Sequence, residues 1–334
     1  MPTLADLRAA RPLFYPDQSL YAEYACRAFG LTFSEIDNGT GLAFTVASGT
    51  RTMTFGGGRG SFFPQNSATA ATLANDKYLA DVAMAHARVA TLGGQYFFLH
   101  ERYRAHRPPS HERPDALAHF RTLGGTAFVK PLAGSRGDFA QPIDSEPALN
   151  AWLDEVGRHY DAVLMQRVFA GKEYRVFLLD GEVLYSARKM PPVVVGDGRR
   201  TIGELLDADA AMLRPRGISS LSAVDAGLFG KVLPDGMRWT IPGRMNRSAG
   251  GSMHFADPDQ AQAAFTLARN AAAALGLRAA AVDLFADIAD DPHDIRVIEV
   301  NANPSIRFLE DSLRDDLILK IWRHTFSSIG LLDV

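Results

Sequence analysis

The sequence predicts an α+β fold built from antiparallel hairpins rather than a doubly wound parallel sheet. One observation is the dipeptide Asp180-Gly181, a strong hairpin-turn signal, which separates two strand-like segments. A second is a pair of late strands, 280–287 and 295–300, separated by a turn that contains Pro292. Each hairpin joins strands that are neighbours along the chain, and such strands pair antiparallel.

The composition is that of an ordinary globular protein. The chain has 334 residues, 47% hydrophobic and 22% charged, which is enough for two or three lobes. The net charge is −3 with scattered Lys and Arg, so a nucleic-acid or membrane-surface partner is not expected. Cys26 is the only cysteine, which excludes a disulfide framework and a thiolate metal cluster. No long apolar run or signal-peptide core is present, so we expect a cytoplasmic protein.

The N-terminal part predicts two helical stretches and then three short strands, at 31–36, 42–46 and 51–55. A Gly-rich break follows at 56–60, and its spacing matches neither the dinucleotide nor the Walker motif. We expect a plain turn or a loop on the substrate side there. A helical pattern over 67–87 then runs through Asn75-Asp76-Lys77.

The remaining segments alternate between strands and helices. Strands are predicted at 127–130, 163–166, 173–179 and 182–189, and helices at 146–157 and roughly 311–329. One more helix begins near Thr201. Another begins with Asp257 as N-cap, because Pro258 occupies the first helical position and Gln260 lies three residues after the cap.

The late hairpin carries polar side chains where a buried strand would be apolar. Its turn places Asp283 opposite Glu299 and Ala281 opposite Asn301, and Glu299 and Asn301 share a face. Two opposed carboxylates repel each other unless a cation lies between them, and Mg²⁺ prefers such oxygen ligands. The alternatives are therefore a metal site or the solvated polar face of an edge hairpin.

The middle hairpin, by its two-residue turn, places Glu173 opposite Arg188. The same face would carry Arg175, Glu182 and Ser186, and the other face would be apolar. That charged face is either a half-solvated surface with one weak ion pair or a floor that binds phosphate and ribose. The charge pattern alone does not decide between them.

Seven segments, in this order, resemble the ATP-grasp ligase superfamily, in particular the ATP-grasp domains of cyanophycin synthetase and of bifunctional glutathione synthetases. They are ANDK (74–77), FVKPLAGSRG (128–137), LMQRVFAGKEYRV (164–176), RKMPPVVVGDGRRTIGELL (188–206), MNRSAGGS (245–252), AVDLF (281–285) and VIEVNANP (297–304). The resemblance covers the chain from about residue 65 to its end. It implies two α+β lobes that clasp ATP, with a short α/β region before them.

The resemblance also implies roles for single residues on the nucleotide side. Lys77 and Lys130 correspond to the lysines that contact the α- and β-phosphates. A flexible loop closes over those phosphates and contains Gly134, Ser135, Arg136 and Gly137. Gln166 corresponds to the residue that contacts the adenine amino group, and Glu173 to the ribose-binding glutamate.

At the reacting end, Arg188 corresponds to the arginine at the γ-phosphate, with Arg175 beside it. The residues implied in orienting the acyl phosphate are Asn246, Arg247 and Ser248, and those implied as Mg²⁺ ligands are Asp283, Glu299 and Asn301. The implied cofactors are ATP and Mg²⁺, with two metal ions expected and Mn²⁺ as an alternative.

The function implied is an ATP-dependent ligase that joins a carboxylate to an amine through an acyl phosphate, with amino acids or short peptides as substrates. Two alternatives stay open, a small-molecule kinase of the same fold and a non-catalytic ATP-binding module. Residues 1–66 would form a substrate-side region and 67–334 the ATP-grasp domain, with a lid lobe at about 110–165 and a nucleotide and metal lobe at about 166–334. Dimers are common in the superfamily, so a homodimer is also open.

Overall fold

A computed structural model describes residues 2–57, 61–134, 137, 139–213, 226–240 and 251–333. Every pair of neighbouring strands in its four sheets is antiparallel. The predicted α+β class with antiparallel hairpins is confirmed.

The N-terminal region holds two helices and a small sheet. Helix α1 covers Leu4–Ala9 and α2 covers Asp17–Phe29. Strands β1 (Thr32–Glu35), β2 (Ala43–Ser48) and β3 (Arg51–Gly56) then form a three-stranded sheet in that order. These strands lie where the alternation of apolar residues predicts them.

Helices α3 (Ala68–Asn75) and α4 (Lys77–His86) correct the single helical pattern predicted over 67–87. Asp76 adopts an extended backbone between them, and its carboxylate accepts hydrogen bonds from the amides of Tyr78 and Leu79 at 3.0 and 2.9 Å. This N-cap interrupts the helix, because an aspartate that binds the amides of the following turn starts a new helix. Lys77 is therefore the first residue of α4.

A smaller lobe follows, with a sheet in the order β4-β7-β5-β6. Its elements are β4 (Gln95–Phe98), α5 (Arg113–Thr122), β5 (Ala127–Pro131), β6 (Gln141–Ile143), α6 (Glu146–Val156) and β7 (Ala162–Gln166). Phe97, Phe120 and Trp152 belong to its own apolar core. The sequence places the start of the lid lobe at about residue 110. The sheet of this lobe already includes β4, so the lobe begins earlier in the chain.

The largest sheet has five strands in the order β12-β9-β8-β13-β14. They are β8 (Lys172–Leu179), β9 (Glu182–Met190), β12 (Ser252–Phe255), β13 (Ala279–Ala286) and β14 (Arg296–Asn301). An insertion between β9 and β12 contains β10 (Val193–Val195), α7 (Ile202–Leu213) and β11 (Arg238–Thr240). The predicted helix start at Thr201 is confirmed, since Thr201 and Glu204 form a reciprocal capping box.

Helices cover both faces of this sheet. One face packs on α3, α4 and α8 (Ala261–Ala274), and the other packs on the N-terminal region and on α9 (Arg307–Asp311) and α10 (Asp315–Ser328). The predicted N-cap at Asp257 is wrong, because α8 begins at Ala261 and the Asp257 carboxylate instead accepts a hydrogen bond from the Ser186 hydroxyl.

Within the described ranges, none of the helices combines the length and apolar character that crossing a membrane requires.

Candidate active site

A row of charged residues crosses the five-stranded sheet on one face. Asp283 on β13 pairs directly with Arg175 on β8 and with Glu299 on β14, and Ala281 pairs with Asn301. Side chains of directly paired residues project from the same face of a sheet. The predicted pairings of Asp283 with Glu299 and of Ala281 with Asn301 are confirmed.

A β-bulge changes the middle hairpin. Near the turn, Leu178 pairs with Val183, but after a register shift Tyr174 pairs with Arg188. The predicted pairing of Glu173 with Arg188 is therefore wrong, because one extra residue in β9 moves every later side chain to the opposite face. Arg188 lies beside Tyr174 on the face that packs against α3, α4 and α8, away from Arg175 and Asp283.

Lys189 occupies the place at which the sequence predicts Arg188. Its ammonium donates hydrogen bonds to Glu173 and, at 2.7 Å, to Asp283. Arg175 binds the same aspartate with two nitrogens, Nε at 2.7 Å and Nη2 at 2.8 Å. Four buried or nearly buried charges thus form one network on the sheet.

The two carboxylates of the network differ in electrostatic environment. Burial would raise the pKa of Asp283, but the adjacent Arg175 and Lys189 outweigh it and hold that pKa well below its usual range. Burial raises the pKa of Glu173, and the attraction of Lys189 does not fully offset this effect. Asp283 is accordingly an anion held by two cations.

Glu299 and Asn301 are the half-buried oxygen donors of the row. The Asn301 amide lies 3.4 Å from Glu299 Oε1, and within the described ranges no cation forms an ion pair with Glu299. A carboxylate without a cationic partner beside a carboxamide is a donor set that suits Mg²⁺. Asp283 fits as a third ligand only by sharing its oxygens with Arg175 and Lys189. No cluster of three His, Cys, Asp or Glu suited to a metal occurs in the ranges searched.

The smaller lobe presents Lys130 and Gln166 on one face of its sheet. Phe128 pairs with Gln166, and Lys130 lies two residues further along β5, so all three project the same way. Burial lowers the pKa of Lys130 to about 8, while the charge of Glu299 acts in the opposite direction. The Lys130 ammonium is therefore close enough to Glu299 for the two charges to interact.

The Gln166 side chain lies at the end of β7, where the smaller lobe meets the strand that leads to β8. Its amide nitrogen donates a hydrogen bond to the Gly93 carbonyl. Its Oε1 is buried and has no hydrogen-bond partner among the residues that the structure describes. An acceptor in this state stands ready for a donor from a ligand, since buried polar atoms are rarely left unpaired.

Lys77 connects α4 to the glycine loop. Its ammonium donates to the carbonyls of Gly134 at 2.6 Å and Leu132 at 3.3 Å, and burial lowers its pKa. Further along this loop, Gly137 has a φ of 71°, which glycine adopts without strain. The Phe139 carbonyl accepts a hydrogen bond from the Trp152 indole at 2.9 Å, which fixes the end of the loop to the lobe.

Of the sequence-predicted site residues that the structure describes, most lie on strands of the smaller and the five-stranded sheet. Hydrogen bonds, strand pairings and charge interactions connect Lys77, Lys130, Gly134, Gln166, Glu173, Arg175, Asp283, Glu299 and Asn301, with Gly137 further along the loop. It places Arg188 on the opposite face, and the predicted Ser135, Arg136, Asn246, Arg247 and Ser248 lie outside the described residues. Sequence reasoning missed Lys189, because nothing in residues 182–190 signals the bulge.

A smaller sheet that carries Lys130, a larger sheet that carries the carboxylates and the buried Gln166 between them are the arrangement of the ATP-grasp fold. The chain has the ATP-grasp fold, and parts of its sequence are similar to proteins that contain ATP-grasp domains. Its structure is similar to that of a bifunctional glutathione synthetase from Pasteurella multocida, with a TM-score of 0.53 and 16% identity over 91% of this chain and 43% of that chain.

Two curated relatives are similar in sequence. Cyanophycin synthetase of Trichormus variabilis is 34% identical over 91 residues, which cover 25% of this chain and 10% of that protein. The bifunctional glutathione biosynthesis protein GshAB of Streptococcus mutans is 30% identical over 197 residues, or 52% of this chain and 24% of that protein. The chain thus spans a quarter or less of these relatives. It matches no protein-family model.

Proposed function

We propose that this chain is an ATP-dependent carboxylate–amine ligase that joins amino acids or short peptides through an acyl phosphate. The observation that carries the proposal is the charged row of Arg175, Asp283 and Glu299, which lies within electrostatic reach of Lys130 in the smaller lobe. Phosphoryl transfer depends on positioned cations and metal-binding carboxylates rather than on a side-chain nucleophile. The row supplies both.

The nucleotide would lie between the two sheets. The unpaired Oε1 of Gln166 would accept a hydrogen bond from the adenine amino group, and Glu173 would bind the ribose hydroxyls. Lys77 and Lys130 would neutralise the α- and β-phosphates, under the loop that contains Gly134 and Gly137. We include Ser135 and Arg136 in that loop on the resemblance alone.

The reacting end would use Arg175 and Lys189. When Glu173 takes up ribose, Lys189 loses one of its two acceptors, and its ammonium becomes available to the γ-phosphate. Mg²⁺, when bound, supplies charge neutralisation at the phosphates, and Glu299, Asn301 and Asp283 would hold it. Asn246, Arg247 and Ser248 are proposed to orient the acyl phosphate.

The reaction proceeds in two displacements. A substrate carboxylate oxygen attacks the γ-phosphorus, the bond to ADP breaks, and an acyl phosphate forms. The amine nitrogen then attacks the acyl carbon, phosphate leaves, and the nitrogen loses a proton as the amide forms. The smaller lobe excludes water, which would otherwise hydrolyse the acyl phosphate. Residues 1–66 are proposed to border the substrate pocket.

The test is ADP release with Mg²⁺ and ATP across single amino acids and pairs of amino acids, with product masses recorded. We expect release that needs two components and a product one water lighter than their sum. Release with one component and a phosphorylated product would replace the ligase with a kinase. ATP binding without release in any combination would support a non-catalytic module.

A further inference from the structure

The charged row on the five-stranded sheet continues into an aromatic surface. Arg175 pairs with Ala187 on β9, and Ala187 pairs with Phe255 on the edge strand β12. Phe255 therefore projects from the same face as Arg175, two strand spacings or about 10 Å away. A substrate whose reacting carboxyl group lies at Arg175 can place a side chain over that distance.

Three rings form this surface, which we name the aromatic wall: Tyr185, Phe255 and Phe308. The centroids of Phe255 and Phe308 are 4.7 Å apart, and the Tyr185 ring meets Phe255 edge-on at 5.9 Å. Tyr185 and Phe308 are buried, but Phe255 is 40% exposed. The guanidinium of Arg314 lies 5.4 Å from the Phe255 ring centroid. One ring of a packed aromatic cluster is thus open beside the charged row.

The Tyr185 hydroxyl is a second, independent observation. It is buried and has no hydrogen-bond partner in the part of the chain that the structure describes. The charged groups acting on it are Arg175 and Asp283, so the hydroxyl lies next to the charged row. An unpaired buried hydroxyl is costly, and a ligand that accepts its hydrogen bond removes this cost.

We propose that the aromatic wall is the side-chain subsite for one of the two substrates, and that it takes an aromatic or large aliphatic amino-acid side chain. The proposal rests on the ligase function. Phe255 packs against the apolar side chain, and the Tyr185 hydroxyl donates to a polar group of the same substrate. Burial of such a side chain against the wall discriminates it from glycine or alanine by tenfold or more.

The test measures binding and turnover on the same panel. L-phenylalanine, L-leucine and L-methionine are compared with glycine, L-alanine and L-aspartate, in the presence of Mg²⁺ and a non-hydrolysable ATP analogue for binding or ATP for turnover. We expect at least tenfold tighter binding of the large apolar amino acids. Phe255→Ala should abolish this preference and leave the KM for ATP within twofold of its original value.

Two further variants separate the subsite from general packing. Tyr185→Phe keeps the ring and should weaken the binding of the large apolar amino acids several-fold, because only the hydroxyl is lost. Phe229→Ala removes a ring of similar exposure, 42%, that packs on Gly203 of α7. This variant should change neither the preference for large apolar amino acids nor the KM for ATP.

The outcomes distinguish the subsite from the ligase function. Amide formation restricted to small or charged substrates, or an unchanged preference in Phe255→Ala, overturns the subsite and leaves the ligase standing. Apolar binding that is lost in Phe255→Ala without any amide product overturns the ligase and leaves the subsite standing. Binding of none of the six amino acids overturns the subsite.

Discussion

Lys130 is a buried ammonium whose charge depends on pH in the working range of enzymes. Burial lowers its pKa to about 8 from an ordinary 10.5, and the attraction of Glu299 opposes this shift only in part. Because the charged form is required to bind phosphate, kcat/KM for ATP should fall as pH rises through about 8. The pH profile of kcat/KM measures the free enzyme and therefore checks this value.

Lys130→Met is the control for that profile. It should have low kcat/KM at every pH and should lack the fall near pH 8. The stability of the wild-type protein should rise between pH 8 and 10.5 relative to the variant, because in that interval the unfolded chain holds a proton at Lys130 that the folded chain has lost. The same fall in kcat/KM in both proteins would assign it to another group.

Arg188 and Lys189 form a matched pair on opposite faces of β9. Lys189→Met should lower kcat by about a hundredfold or more, because Lys189 binds Glu173 and Asp283. Arg188→Met removes the positive charge of the residue next to Lys189. Because the Arg188 side chain lies beside Tyr174 on the other face of the sheet, this change should lower kcat less than about threefold. Steady-state rates at saturating ATP compare the two, and a larger loss in Arg188→Met would place the bulge elsewhere.

Glu299 is the carboxylate of the charged row with no ion-pair partner among the described residues, so its replacement should affect function more than folding. Glu299→Gln keeps the shape of the side chain and should raise the Mg²⁺ concentration needed for half-maximal rate by about 10- to 100-fold. The melting temperature should change by only a few degrees, and circular dichroism should be unchanged. Unaltered activity with an equal or higher melting temperature would contradict the proposal that Glu299 binds a metal ion.

At the scale of elements, Asn66 fastens the hairpin that carries the proposed metal ligands. This buried amide donates to the carbonyls of Ala279 at 2.8 Å and Ala302 at 3.2 Å, and its oxygen accepts from the amides of Arg278 and Ala279. Ala279 begins β13 and Ala302 follows β14. One side chain therefore joins the ends of the two strands that hold Asp283, Glu299 and Asn301.

Asn66→Ala should destabilise the protein by about 2–4 kcal/mol, because it leaves several buried backbone groups unpaired. Urea unfolding measures this change in the free energy of unfolding. Asn270→Ala on the exposed side of α8 serves as the control and should lie within about 0.5 kcal/mol of the parent. Equal midpoints for the two variants would show that Asn66 does not fasten the hairpin.

Local chemistry determines which elements the sequence predicts well. The Asp180-Gly181 turn has both residues at positive φ, and the capping box at Thr201 starts α7 as expected, because each signal lies within a few residues. The bulge in β9 has no such signal, since pairing with β8 and β12 on both sides determines where the extra residue lies. The pairing of Asp283 with Glu299 follows from the nearby turn of the late hairpin, so the sequence predicts it. The position of Lys189 in the charged network depends on the bulge and is visible only in the structure.

Two helix starts differ from the sequence prediction, one through a local cap at Asp76 and one through a distant contact of Asp257. Asp76 could equally have continued a helix, and its capping of α4 places Lys77 at the glycine loop. Asp257 has the surroundings of an N-cap, but the Ser186 hydroxyl on β9 binds its carboxylate. The partner of Asp257 is thus set by tertiary packing, which sequence patterns along one segment do not contain.

At the scale of the whole molecule, the N-terminal region and the five-stranded sheet share one core. Phe55 of β3 contacts Trp322 and Phe326 of α10, each at 6.1 Å between ring centroids. Arg8 binds Glu310 at 2.6 Å, which joins α1 to α9. The packing indicates that the sequence boundary at residue 66 does not separate two independently folding units. The role of residues 1–66 in substrate binding stays a proposal.

We therefore expect residues 67–334 alone not to fold into a compact native state. Removal of residues 1–66 would expose Trp322, Phe326 and their neighbours. Each large apolar side chain that becomes exposed lowers the free energy of unfolding by about 1.5–3 kcal/mol. Four such residues approach the whole stability of a typical domain, about 5–15 kcal/mol. Near-UV circular dichroism and binding of a hydrophobic dye would show lost packing, and coexpression of residues 1–66 as a separate chain should restore it. A soluble fragment that unfolds cooperatively without its partner would show instead that the ATP-grasp lobes carry a sufficient core of their own.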